Sequence, residues 1–223
     1  MQNLLIVGCG DVARRTLPRL LGHYRVFALL RDPAQCVCWR AMGARPIVAD
    51  LDRPVSLRRI AGLADIVLHF APPSGYGSGD ARMRRFLATL SLAKSLPQRL
   101  VYVSTSGVYG DCAGARIDET CPARPITPRA RRRVDAERMA LRSRVHELFI
   151  ESRSSAGSRS IMGMMREEGT TIGRFKVSRL MEELGLICKQ PGRHAYKQAT
   201  VERIDIPNHL NREFEVGTPN QVW

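Results

Sequence analysis

LLIVGCGDVA, residues 4–13, joins a short apolar run to two glycines and then to the start of an amphipathic segment. Four apolar residues in a row, closed by glycine, suit a strand buried on both faces. The six residues that follow, Gly8 to Ala13, have the spacing GxGxxA. Gly8 suits a tight turn, Gly10 a close approach of backbone to pyrophosphate, and Ala13 the packing of a helix on a strand. Asp11 and Val12 then open the helix, where unpaired N–H groups attract anions. The stretch is a candidate dinucleotide site, provided that a strand and a helix flank it.

Its surroundings meet that condition. Strands are expected at 4–7, 26–30, 46–49, 65–70 and 100–104, and helices around 11–22, 33–43, 54–62 and 80–95. This alternation is the pattern of a parallel sheet joined by crossover helices, so the expected fold class is α/β, a partial Rossmann sheet. Pro18 predicts a bend in the last turns of the first helix. The second strand ends in LLRDP, residues 29–33, where such folds read the ribose. Arg31 at the strand tip suits the 2′-phosphate of NADP. Asp32 would accept from the ribose hydroxyls of NAD if the tip lies one residue later. NADP is the favoured expectation.

The chain has 223 residues, 44% of them hydrophobic, enough to bury a core. Its apolar N-terminal run is too short for a signal peptide or a membrane span, which predicts a cytoplasmic protein. Cys9, Cys36, Cys38, Cys112, Cys121 and Cys188 never form CxxC and lack a histidine at zinc spacing, so reduced thiols and no metal are expected. The net charge of +14 is mostly diffuse; its dense patch runs from Arg129 to Arg144. Such a patch suits nucleic acid or a solvated helix face equally.

STSGVYGD, residues 104–111, and Asp50-Leu51 extend the case. Together with the glycine turn they resemble the extended short-chain dehydrogenase/reductases, the epimerase and dehydratase branch, over residues 3 to about 137. The resemblance implies an adenine contact at Asp50 and a catalytic hydroxyl at Thr105. It also implies a tyrosine and a lysine on the next helix, in a frame that here reads PITPRARRRVDAE, residues 125–137. Arg129 stands in the tyrosine's place and Arg133 in the lysine's. A guanidinium stays charged and has no acceptor, so Arg129 cannot act as general base. Arg133 can still donate to a cofactor ribose or phosphate, and Tyr109 is a substitute acid, although the family uses that tyrosine for packing. The family also continues into a further strand and a substrate domain, of which the remaining sequence has no sign. The alternative reading is therefore an NADP-dependent oxidoreductase or epimerase with a non-standard acid/base.

After residue 140 the periodicity turns helical. Leu141, Val145, Leu148 and Phe149 form one stripe, Ile161, Met164 and Met165 a second, and Val177, Leu180, Met181 and Leu184 a third. Three short helices are expected, the last two separated at Gly169 and the last ended by Gly185. A helix, a glycine turn and a further amphipathic helix suit a helix-turn-helix. Its second helix would turn Arg174, Lys176, Ser178 and Arg179 to DNA, with Arg142 and Arg144 as further phosphate contacts. A three-helix bundle with a solvated face fits the same periodicity. RLMEELGL, PNHLNREF and PNQVW resemble the DNA-binding region and connector of integrase-like insertion-sequence transposases, over about 141–223. That resemblance places the first catalytic aspartate just beyond Trp223, so Mg²⁺-dependent strand transfer is not expected. The expected domains are 1–138, a partial nucleotide-binding unit; 139–190, a small all-α helix-turn-helix-like module; and 191–223, an extended connector tail. The junction is expected between Arg138 and Leu141, as if an insertion element had fused to a reductase-like gene.

Overall fold

The computed structural model describes residues 1–92, 96–118 and 121–189. Five strands, β1 (Asn3–Val7), β2 (Arg25–Leu30), β3 (Arg45–Val48), β4 (Ile66–His69) and β5 (Arg99–Tyr102), form one parallel sheet in the order β3-β2-β1-β4-β5. Helices α1 (Asp11–Leu21), α2 (Cys36–Ala41), α3 (Pro54–Leu57) and α4 (Ala81–Leu90) connect the strands. Then come α5 (Pro128–Glu151), α6 (Ser158–Glu167) and α7 (Arg174–Glu183). The connector expected over 191–223 lies outside the described residues.

β1 explains why the sheet has helices on both faces. Leu4 and Ile6 point into one core with Leu17 and Trp39, and Leu5 and Val7 into the other with Leu57, Met83 and Phe86. All four β1 side chains are almost fully buried, and burying each contributes about 2 kcal/mol. Strand order reverses at β1, which opens a crevice beyond its C-terminal end, where the glycine turn sits.

The strands lie within two residues of their expected positions. The connecting segments differ more. Asp32 caps a 3-10 turn, Pro33–Gln35, ahead of α2, and a second 3-10 turn, Arg58–Ile60, follows α3. Both segments read from sequence as single helices. α1 runs unbroken through Pro18. Proline there leaves the Arg14 carbonyl without its helical partner, in the last turn of the helix.

The largest difference is α5. In place of a separate helix from 141, one 24-residue helix spans the junction expected near Arg138–Leu141. Thr127 caps it, its hydroxyl accepting from the Ala130 N–H at 3.2 Å, and Pro128 takes the first turn. Its first half packs Ala136, Met139 and Ala140 against the sheet's core. Its second half gives Val145, Leu148 and Phe149 to the separate core of α6 and α7. Residues Met1–Lys189 form one compact unit. No helix among the described residues is long and apolar enough to cross a membrane.

Candidate functional site

Gly8 and Gly10 have different jobs. Gly8 adopts φ +90°, and a Cβ there would lie 2.6 Å from the Ala71 Cα and 2.7 Å from the Phe70 carbonyl carbon. Gly8 is what lets β1 end against the chain leaving β4. Gly10 is the N-cap of α1 without a side-chain cap, and a Cβ there meets nothing within 4 Å. The N–H groups of the first turn of α1, beside Asp11 and Val12, therefore face open space, while Ala13 is fully buried beneath them. That space is part of a cleft of about 480 Å³, whose lining includes Gly10, Val12, Arg31, Asp50, Ala71 and Val103.

Arg31 follows directly on β2, is exposed, and makes no hydrogen bond or ion pair among the described residues. Asp32 is engaged: its carboxylate accepts from the Ala34 N–H at 3.0 Å. The Asp50 carboxylate likewise accepts from the Asp52 N–H, at 2.9 Å. Arg82 donates to both Asp52 oxygens and holds that carboxyl below the usual range. Cys9 inside the glycine turn is no nucleophile, because burial pushes its thiol up to about 12.

The residues expected to do chemistry sit away from the cleft's lining. The Thr105 hydroxyl accepts from the Gly107 N–H at 3.4 Å, capping a 3-10 turn, Ser106–Tyr109, that holds Tyr109 half-buried. Arg129 is exposed on the first turn of α5. Arg133 is buried, donating to the Val103 carbonyl at 2.6 Å and to the Tyr102 hydroxyl at 3.1 Å, with its guanidinium 5.4 Å from the Tyr102 ring centre. It does not line the cleft. Sequence reasoning missed this tyrosine–cation pair, which the packing of α5 against β5 brings together. The pair does not generate a base: burial pushes the Tyr102 phenol up and outweighs the lowering by Arg133.

His69, at the end of β4, was also missed. It is 1% exposed, edge-on to Phe86 at 5.3 Å and tilted against Tyr102 at 5.4 Å, and neither ring nitrogen has a hydrogen-bond partner among the described residues. Burial, helped by the Arg133 charge, lowers its pKa to about 4. The folded state keeps His69 neutral while the unfolded chain protonates it near 6.5. Stability from this group is therefore complete above about pH 6.5 and falls as pH drops towards 4, by about 3 kcal/mol in all. Urea midpoints at pH 7 and 4.5 should shift more for the wild type than for His69→Leu. Parallel shifts would contradict the assignment.

On the helical module, Arg174, Lys176, Ser178 and Arg179 are all exposed along α7, while Val177, Leu180 and Met181 are buried beneath. Arg142 and Arg144, expected as further phosphate contacts, face carboxylates in this fold. Arg142 is paired with Glu183, and Arg144 with Glu147, Glu151 and Glu168, so carboxylates already neutralise both charges. Among the described residues no group of three His, Cys, Asp or Glu side chains could hold a metal ion.

A model of the NAD dependent epimerase/dehydratase family matches residues 4–149. The chain belongs to that family. A second model, an HTH-like domain, matches residues 136–194 of this epimerase-family chain, and the two overlap within α5. InsO of insertion sequence element IS911B from Escherichia coli (strain K12), which is named as a transposase, is 50% identical over 90 residues, 40% of this chain and 45% of that protein. Among solved structures, a functionally unknown conserved protein from Silicibacter pomeroyi is 29% identical with a TM-score of 0.51, covering 63% of this chain and 48% of its own. A short-chain dehydrogenase/reductase superfamily protein from Agrobacterium tumefaciens, with bound NAD, is 21% identical with a TM-score of 0.52, covering 64% and 45%. The chain spans less than half the length of each. An epimerase-family unit is thus joined in one polypeptide to a transposase-type HTH-like domain.

Proposed function

We propose that this protein binds two ligands and catalyses no epimerase or dehydrogenase reaction at the family's usual position. One ligand is a nicotinamide dinucleotide, NADP in preference to NAD, in the cleft beyond β1. The other is duplex DNA, on the exposed face of α7. The supporting observation is the contrast between an open cleft and an engaged catalytic position. Gly10 leaves room for a phosphate over the N-terminus of α1, where backbone N–H groups and the helix dipole attract it. Arg31, directly after β2 and exposed, is placed for a 2′-phosphate, whereas Asp32 lies one residue further on and caps the 3-10 turn. Asp50 flanks the adenosine end. A bound nicotinamide supplies a hydride donor or acceptor. The family's proton carrier is missing here: Arg129 and Arg133 have no acceptor, and the Thr105 hydroxyl and Tyr109, the remaining candidates, sit on a 3-10 turn away from the cleft's lining.

The domains of this reading are 1–138 for the nucleotide, 139–190 for DNA, and 191–223 as connector. Calorimetric titration with NADPH and NADH, alongside turnover assays, tests the first half. NADPH should bind more tightly than NADH, with no turnover. No binding of either at millimolar concentration would leave the glycine turn purely structural, and turnover abolished by Thr105→Ala would favour the oxidoreductase reading. For the second half, Arg174, Lys176 and Arg179 on α7, which make no ion pair among the described residues, give a salt dependence of log affinity near −3, from about −0.9 per phosphate neutralised.

A further inference from the structure

We propose that Phe175 is a base-contacting residue of α7, set to meet a thymine methyl group in the major groove; this rests on the DNA reading given above. Phe175 is 80% exposed, on a helix whose apolar stripe, Val177, Leu180 and Met181, is buried without it. It contributes nothing to the core of the helical module. On α7 it shares the outward line with Ser178, Arg179 and Glu182 at spacings of three, four and seven residues. Arg174 stacks over its ring at 5.5 Å, which fixes the orientation of both side chains.

Phe175 lies at the edge of a groove whose floor holds Val134, Leu141 and Leu180 and whose rim is cationic. The groove that Phe175 lines against α5 carries Arg138, Lys176 and Arg179, and of its two carboxylates Glu183 is already paired with Arg142. An exposed aromatic framed by cations that make no ion pair among the described residues matches what a groove floor edged by phosphates offers. The cations take the backbone, and the ring takes the one apolar group that B-DNA displays in its major groove, the thymine C5-methyl. A second copy of this chain is the competing occupant, since an exposed phenylalanine can also self-associate.

The test uses the full chain and two fluorescein-labelled duplexes of one A·T-rich sequence, the second with deoxyuridine for every thymidine. Deoxyuridine lacks only the methyl. Anisotropy titrations should show the wild type binding the uridine duplex about fourfold more weakly, the worth of one buried methyl. Phe175→Ala should bind both duplexes equally, with the wild-type salt slope and an unchanged melting midpoint, because the side chain supports no core. Equal wild-type affinity for both duplexes, with a salt slope near −3, would overturn the thymine contact but leave DNA binding standing. Absence of any salt-dependent binding would remove the DNA reading itself. Concentration-dependent self-association abolished by Phe175→Ala, with no discrimination between duplexes, would assign the surface to a second copy.

Discussion

Gly10→Ala should leave the fold intact and weaken nucleotide binding by about tenfold to a hundredfold, whereas Gly8→Ala should destabilise the whole protein. The two glycines are two residues apart and look equivalent in the motif. They differ in what a methyl group would meet. At Gly10 it enters open space within the cleft, so nothing in the protein moves, but a phosphate seated on the first turn of α1 is displaced; overpacking of that kind costs roughly 1–3 kcal/mol. At Gly8 it enters the backbone of Phe70 and Ala71, and φ +90° is strained for any L side chain. Strain and overlap together should cost about 3 kcal/mol or more. Urea denaturation and calorimetric titration of both variants separate the two effects. Wild-type affinity for NADPH in Gly10→Ala would show that no phosphate sits there.

Ala140→Pro should uncouple the two halves of the molecule. Proline at 140 removes the hydrogen bond to the Ala136 carbonyl and places its ring against that oxygen, costing about 3 kcal/mol or more. Ala136 and Ala140 belong to the core under the sheet, while Leu141 and Val145 belong to the core of the helical module. A kink at 140 therefore falls between the cores. Upstream, Arg132 donates to the Gly77 carbonyl at 3.0 Å and Asp135 accepts from the Asp80 N–H at 2.8 Å. Downstream, Arg142 holds Glu183 at the end of α7, and Arg144 holds Glu168, the residue that caps α6. Each half keeps its own anchors, so the variant should unfold in two steps. One cooperative step would show that α5 does not carry the coupling.

The sheet was legible because its signals are local: runs such as LLIV are buried on both faces, and glycines stand where β1 must end. α5 was legible only in pieces. Two of its buried positions are Arg132 and Arg133, so the apolar periodicity that marks a helix lapses where the two families meet. Glu183 and Glu168, which pair with Arg142 and Arg144, are distant in sequence, so both charges read as available until α6 and α7 pack against α5. His69 and Tyr102 gave no signal because the β4–β5 register, which pairs them, is not written in either strand alone. Phe175 did give one, as an apolar residue off the stripe of its helix and flanked by cations.

One helix, α5, makes the epimerase-family unit and the HTH-like module a single body. Differential scanning calorimetry of the full chain, with and without saturating NADPH, tests it most directly. A ligand that binds only the native state raises the stability of everything that unfolds with its site. Residues Met1–Lys189 should give one heat-absorption peak, moving upward as a whole when NADPH is added. Two peaks, of which NADPH moves only one, would contradict it.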